Sequence, residues 1–461
     1  MPNLPRTIAE LAPLLRRREV SPVEVAQSCL DRIEALNPSL NAFVTVTADS
    51  ALEAAHAAEL EIAGGKWRGP LHGVPVALKD LIDTAGVRTT SGSRLHKDRI
   101  PSEDAEVVRR LKWAGAVLLG KNNLHEFAYG GSSLVSYFGE THNPWALDHI
   151  TGGSSGGSAA SVAAGLCYAA IGTDTAGSVR EPASLCGCVG LKPTYGRVSK
   201  RGVFPLSYSL DHVGMLAATV RDAAVILQAV AGYDPIDPRA TCVRVSDYVS
   251  GLGGSVRSLR VGTPRGFFFG DLDPEVSAAT ELALSVIKTL VSEIREVHLE
   301  VPTDRTLQAA ESYAVHADDV NKTPELYQPA TLQRLQSGAG ISAVEYVRQR
   351  NELDRARRFI EKVFAEVDLL VTPTTAAPAP AIAQLKKDPD ALRPAELLLL
   401  RNTRPFNVWG LPAVSVPCGF TETGMPIGLQ ISGPHWREDT VLRLAYAYEQ
   451  ATAWHQRRCP V

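Results

Sequence analysis

Apolar and polar positions alternate between two periods along the chain. The first 65 residues carry helical spacing. Ser21, Pro22 and Glu24 form a capping box with proline at the first helical position, which predicts a helix through about Leu36. An alanine-rich pattern from about Asp49 to Ala63 predicts a second helix, ended by Gly64 and Gly65. The period then changes. Gly73 to Ile82 is a short apolar run suited to a buried strand, with a single lysine, Lys79, inside it. Helical spacing returns from about Glu103 to Trp113, and Ala116 to Leu119 reads as strand again.

Beyond a glycine-rich centre, residues 257–269 suggest a strand, and about 270–365 read as mostly helical, with a capping box at Ser342 and Glu345. Strands are expected at Asp368 to Thr372, Ala413 to Pro417 and Ile427 to Ile431, and a last helix at Glu438 to Ala451. Such alternation predicts an α/β protein with a mixed, mostly parallel twisted sheet covered by helices on both faces. No internal repeat or linker divides it. The expectation is one domain over 1–461, with an N-terminal helical segment at about 1–65 and a peripheral helical insertion at about 270–365 that shapes the substrate pocket.

Composition narrows the function classes. The 461 residues hold 47 basic and 50 acidic side chains, a formal net charge of -3, which lacks the basic footprint of a dedicated nucleic-acid binder. No run of about 18 apolar residues suggests a membrane span, and the N-terminus does not read as a secretory signal. The seven cysteines are odd in number and dispersed, as for reduced thiols in a cytoplasmic protein. The eleven histidines show no metal-ligand spacing, so neither metal nor cofactor is expected.

The glycines decide where chemistry sits. Seven of them lie between Gly152 and Gly177. The segment GGSSGGS at 152–158 precedes a small-residue helix, but no lysine follows its last glycine as a nucleotide-cradling loop requires. It also contains G-x-S-x-G, yet no apolar strand leads into it, and Asp211 and His212 are too close in sequence to complete a Ser-His-Asp triad easily. A third reading adds GTDTAGSVREP at 172–182. Ser178 would be a nucleophile in a turn whose backbone N–H groups form an oxyanion hole, with Ser154 and a desolvated Lys79 moving the proton. From the residues alone, a snorkelling lysine or one paired with Asp80 or Asp83 is the favoured reading of Lys79.

These segments, with CGCVGLKPTYGR at 186–197, GVPVALKD at 73–80, NLHEF at 123–127 and GLPAVSVP at 410–417, resemble the amidase signature family of serine hydrolases. The resemblance implies a Ser–cisSer–Lys triad of Ser178, Ser154 and Lys79, and a cis peptide between Gly153 and Ser154. It also implies an oxyanion hole from the N–H groups of Thr175, Ala176, Gly177 and Ser178. Ser155, Asp174 and Arg180 would support the triad, and Phe127, Tyr129 and Gly130 would line the substrate pocket, with Trp409 and the 203–208 loop nearby. Ala176 and Glu181 stand where glycine and glutamine are commoner in the family. The implied activity is amide hydrolysis, extending to carbamates (a urethanase) or esters. The expected partner is a small, apolar or aryl amide or carbamate, with no nucleic acid or membrane, and the chain a monomer or homodimer. The alternative is the amidase subunit of a transfer-RNA-dependent amidotransferase, which releases ammonia from glutamine.

Overall fold

The computed structural model describes residues 4–461. Its strands are β1 (Phe43–Val46), β2 (Pro75–Lys79), β3 (Val117–Asn122), β4 (His142–Asn143), β5 (Ala146–Ile150), β6 (Ala169–Asp174) and β7 (Val189–Lys192). They continue as β8 (His212–Ala217), β9 (Arg260–Thr263), β10 (Glu293–Glu296), β11 (Leu369–Pro373), β12 (Ala413–Phe420) and β13 (Pro426–Ser432). Eleven of them make one open mixed sheet in the order β1-β3-β2-β6-β8-β7-β12-β13-β11-β9-β10, and β4 pairs with β5 alone. Parallel pairing runs through β3–β2–β6 and again through β11–β9–β10. Between those runs every ladder is antiparallel, and β1 closes the near edge antiparallel to β3.

Helices cover both faces. Gly156–Ala163 and Arg180–Cys186 lie over β2, β6, β7 and β13, while Val220–Val230, Pro274–Leu290 and Glu438–Ala451 cover overlapping strands. The strands between the two layers are buried along their whole length, β2, β6, β8 and β13 without exception. That explains their near-continuous apolar sequences. Ile171, Met215, Val414 and Leu429 meet in this core, and truncating one of them to alanine should cost about 2–5 kcal/mol.

Two stretches expected to be helical also contribute strands. Residues 1–65 hold β1, whose pairing with β3 rests on contacts about 75 residues apart in sequence that local periodicity does not record. The stretch 270–365 includes β10, a half-exposed edge strand of sequence EIRE that pairs only with β9. The strand expected over 257–269 shortens to β9, followed by a helical turn at Arg265–Phe268.

The topology places the chemistry. β2 and β6 are parallel neighbours, with Leu78 opposite Ile171, so Lys79 and Thr173 emerge together at their carboxyl ends. Loops leaving such ends are the usual place for ligands in α/β sheets.

Candidate active site

Lys79 ends β2 and is fully buried. Its Nζ lies 2.7 Å from Ser154 Oγ, 2.9 Å from Ser155 Oγ and 3.0 Å from Thr173 Oγ1. Among the described residues no carboxylate contacts it. Asp80 turns instead to Thr90, accepting its N–H at 3.0 Å, and Asp83 forms a two-pronged pair with Arg99 at 2.7 and 2.8 Å. Burial pulls the Lys79 amine down to about 7, opposed by the more distant Asp174 and Asp211. A substantial neutral fraction is therefore present at neutral pH.

The loop carrying Ser154 is fixed from three sides. Its Gly153–Ser154 peptide bond is cis. The Gly153 N–H donates to Glu181 Oε2 at 2.7 Å, the Gly156 N–H to Ser133 Oγ at 3.2 Å, and the Ser154 carbonyl accepts the His125 N–H at 3.2 Å. A Cβ on Gly156 would stand 2.4 Å from Ser133 Oγ and 2.2 Å from Thr151 Oγ1, so only glycine fits there. Ser155 links this loop to both neighbours: its N–H donates to the Ser178 carbonyl at 3.2 Å and its hydroxyl to the Thr173 carbonyl at 3.2 Å.

The turn from Asp174 to Arg180 is organised by one carboxylate. Asp174 Oδ1 accepts the Gly177 N–H at 2.9 Å, and Oδ2 accepts the N–H groups of Val179 at 3.2 Å and Arg180 at 3.4 Å. Arg180 pairs with it through Nε and Nη2 at 3.0 and 2.9 Å. The guanidinium's remaining donors reach Thr403 O, Gln430 Oε1 and Asn407 Oδ1. Burial alone would raise the Asp174 carboxyl, but Arg180, Lys192 and Asn407 hold it down at about 2. Asp174 and Arg180 thus shape the turn that carries Ser178, which is 4 % exposed and is tied to the Ser154 loop through the Ser155 N–H on its carbonyl.

One expected oxyanion donor is otherwise engaged. The Gly177 N–H is committed to Asp174, so of the four proposed donors those of Thr175, Ala176 and Ser178 remain without a protein acceptor among the described residues. Gly177 itself has φ +135 and stands where a Cβ would meet Thr403 Oγ1 at 2.0 Å.

Two expected pocket residues are packed rather than exposed. Phe127, 1 % exposed, is enclosed by His96, Phe204, His316 and Tyr327, with the centre of the His316 ring 4.5 Å from its own. Trp409 packs with Phe268 and Phe406 in a separate core cluster. Gly130 is required because a Cβ would stand 2.1 Å from the His125 ring, and Tyr129 faces a group of arginines. Sequence reasoning missed Thr173, Asn407 and Gln430. Thr173 lies within the recognised segment and could have been singled out from strand alternation, whereas Asn407 and Gln430 reach the turn from distant strands and helices. Among the described residues no group of His, Cys, Asp and Glu is arranged to hold a metal ion, and no helix is long and apolar enough to cross a membrane.

The model of the amidase family matches residues 24–442. A glutamyl-tRNA(Gln) amidotransferase subunit of a Geobacter species is 41% identical, with 99% of each chain covered. A solved chain from a vestigial protein complex, described with the origins of an s-triazine catabolic enzyme, superposes with a TM-score of 0.90 at 34% identity, covering 96% of this chain and 98% of that one. The corresponding glutamyl-tRNA(Gln) amidotransferase subunit of Thermotoga maritima gives a TM-score of 0.78 at 34% identity, covering 96% and 94%. These relatives overturn the expected partner set of a lone enzyme for small apolar amides or carbamates, a monomer or homodimer with no nucleic acid. The end-to-end relative is one subunit of a larger enzyme, and that enzyme is named for a transfer RNA. The balanced charge misled because it describes one chain, whereas in an assembly other subunits can supply the surface that meets RNA.

Proposed function

The chain belongs to the amidase signature family, and we propose that within it the protein is the amidase subunit of a transfer-RNA-dependent amidotransferase, hydrolysing the side-chain amide of glutamine and passing the ammonia to a partner. The observation that carries this reading is the 41% identity to a glutamyl-tRNA(Gln) amidotransferase subunit over 99% of both chains. Seven unbridged cysteines, six of them buried, are in keeping with a cytoplasmic setting.

The geometry supports a defined division of labour. Neutral Lys79 takes the Ser154 proton across 2.7 Å, and Ser154 takes that of Ser178 as Ser178 Oγ attacks the amide carbon. The oxyanion meets the N–H groups of Thr175, Ala176 and Ser178. When the C–N bond breaks, Ser154 returns a proton to the departing nitrogen, which leaves as ammonia. Water then adds to the acyl-enzyme through the same relay, releasing the carboxylic acid and restoring the Ser178 hydroxyl. Ser155 and Thr173 position Nζ throughout.

The test is ammonia release from glutamine by the purified chain, alone and mixed with the other subunits of such an enzyme, together with co-elution on size exclusion. Glutamine hydrolysis lost in Ser178→Ala, and faster in the complex, is expected. Hydrolysis of other amides with glutamine refused in both settings would overturn the reading.

A further inference from the structure

Asp211 and His212, poor triad partners as sequence neighbours, occupy a different place in the fold. β6 and β8 pair antiparallel with Asp174 opposite His212, so the register sets Asp211 beside Thr175 in the oxyanion turn. The Thr175 hydroxyl donates to Asp211 Oδ1 at 2.6 Å, and both side chains are buried. Asp211 Oδ2 accepts the N–H groups of Leu206 at 2.9 Å and Ser207 at 3.0 Å. Three donors thus converge on a group that, when ionised, can only accept. Burial raises the Asp211 carboxyl, and Lys200 and the Thr175 hydroxyl oppose that rise.

The two residues together hold one peptide unit. The Asp174 carbonyl accepts from Asn407 Nδ2 at 2.8 Å and lies 3.2 Å from His212 Nδ1. The same ring nitrogen is 2.7 Å from the Leu210 carbonyl, so with two carbonyls before it Nδ1 is the protonated nitrogen. The peptide between Asp174 and Thr175 is trans and planar, so a fixed carbonyl aims the Thr175 N–H the opposite way. Asp211 anchors the side chain of the same residue. The loop carrying Asp211 is braced in turn by the helix Thr306–Lys322. Its buried Glu311 accepts the Ser207 hydroxyl at 2.5 Å and the Ser209 N–H at 3.0 Å, and Ser312 donates to the Leu206 carbonyl at 3.0 Å. The stretch 270–365 therefore reaches the oxyanion turn in two steps, from Glu311 to the loop and from Asp211 to Thr175.

We propose that Asp211 is a positioning residue of the oxyanion hole: through the Thr175 hydroxyl it aims the Thr175 N–H at the oxygen that becomes negative, and Glu311 holds the loop from which it acts. The assignment rests on the reading of Ser178 as the nucleophile. Asp211 itself touches neither the substrate nor the reacting atoms. A donor held in place before the charge develops favours the transition state over the bound amide, so misaiming it costs turnover rather than binding.

Labelling of Ser178 by a fluorophosphonate reads the oxyanion hole without an amide substrate, because charge builds on the phosphoryl oxygen as Ser178 adds. The second-order labelling rate should fall about 10- to 100-fold in Thr175→Val and in Asp211→Asn, and Thr175→Ser, which keeps the hydroxyl, should regain most of that loss. The double variant Thr175→Val/Asp211→Asn should be no slower than the worse single one, since each removes the same contact. Losses that multiply overturn the assignment, and so does labelling of Thr175→Val at the wild-type rate. Should Asp211→Asn fail to fold, the comparison of Thr175→Val with Thr175→Ser decides alone. With glutamine as substrate, kcat should fall by the same factor while KM stays within about threefold, and a raised KM with kcat retained overturns the positioning role. Glu311→Gln should slow labelling about three- to tenfold in the wild-type chain and add nothing in Asp211→Asn, and an additive loss overturns its part. Labelling of the wild type at a residue other than Ser178 would instead remove the premise on which the assignment rests.

Discussion

Lys79 and Lys121 stand near the ends of adjacent parallel strands, both buried, and burial lowers both amines, to about 7 and about 8. Their surroundings differ in one respect. Around Lys79 the three partners are the hydroxyls of Ser154, Ser155 and Thr173, each able to give or take a proton. Around Lys121 the Ile82 carbonyl joins the hydroxyls of Thr84 and Thr89, with Asp80 and Asp83 as the nearest opposing charges. A carbonyl can only accept, so it favours the ammonium form and anchors it. Burial alone therefore does not make a base. The partner set does, and that of Lys79 leads in one step to Ser154.

The largest effect expected from breaking this arrangement is at the nucleophile. Ser178→Ala should reduce amide hydrolysis on the order of ten-thousand-fold and abolish fluorophosphonate labelling, with the unfolding midpoint little moved. Labelling that persists would move the nucleophile elsewhere. The two lysines should then separate cleanly. Lys79→Met should lower kcat about a thousand-fold with the fold retained, because the relay loses its terminal base. Lys121→Met should stay within about threefold of wild-type turnover but lower the thermal midpoint, because the Ile82 carbonyl loses its buried donor. Equal losses of kcat in the two variants would erase the distinction.

The pH profile sharpens it. Lys79 must be neutral to accept a proton, and its pKa is depressed to about 7, so kcat/KM should rise with pH through that value and level off above it. Lys121, near 8, has no part in the relay, and its titration should leave no second rising limb. Measuring kcat/KM from about pH 5.5 to 9 in wild type and Lys121→Met checks both statements, since the profile should keep its midpoint in the variant.

The same pair explains how far the sequence could be read. PVALK and VLLGKN both announce a buried strand ending near a lysine, and nothing in either says which lysine meets hydroxyls. The serine- and glycine-rich loops were legible because close backbone approach confines each position to small residues, as Gly156 and Gly177 show. The short strands β1 and β10 were not, since a four-residue edge strand acquires its conformation from its neighbour. The oxyanion turn was legible in outline, but that Asp174 claims the Gly177 N–H depends on where a strand end points.

Glu181 supplies the smallest and most discriminating change. It is buried, its Oε2 accepts the Gly153 N–H at 2.7 Å, and its Oε1 has no partner among the described residues. Burial raises its carboxyl well above the ordinary range, and the nearby Glu396 and Asp174 push the same way. Among the described residues no cation opposes them in contact, in contrast to Asp174, where Arg180 does. The buried carboxyl is thus biased toward its protonated form, against the Gly153 N–H that favours the ionised one, and a neutral carboxyl offers one acceptor and one donor, as a glutamine amide does. Glu181→Gln should therefore keep turnover within about twofold at neutral pH. The sign of the pH effect follows from the raised pKa. The stabilising protonated form is complete below the carboxyl's unfolded value and is lost as pH climbs through the folded one. In the wild type this group makes the fold progressively less stable with rising pH, and the glutamine variant removes that slope. Thermal midpoints measured at about pH 6 and about pH 9 should draw closer together in Glu181→Gln than in wild type. If the variant instead widens the gap, Glu181 is ionised at the ordinary pH of the protein, and the loop beneath Ser154 rests on a charge.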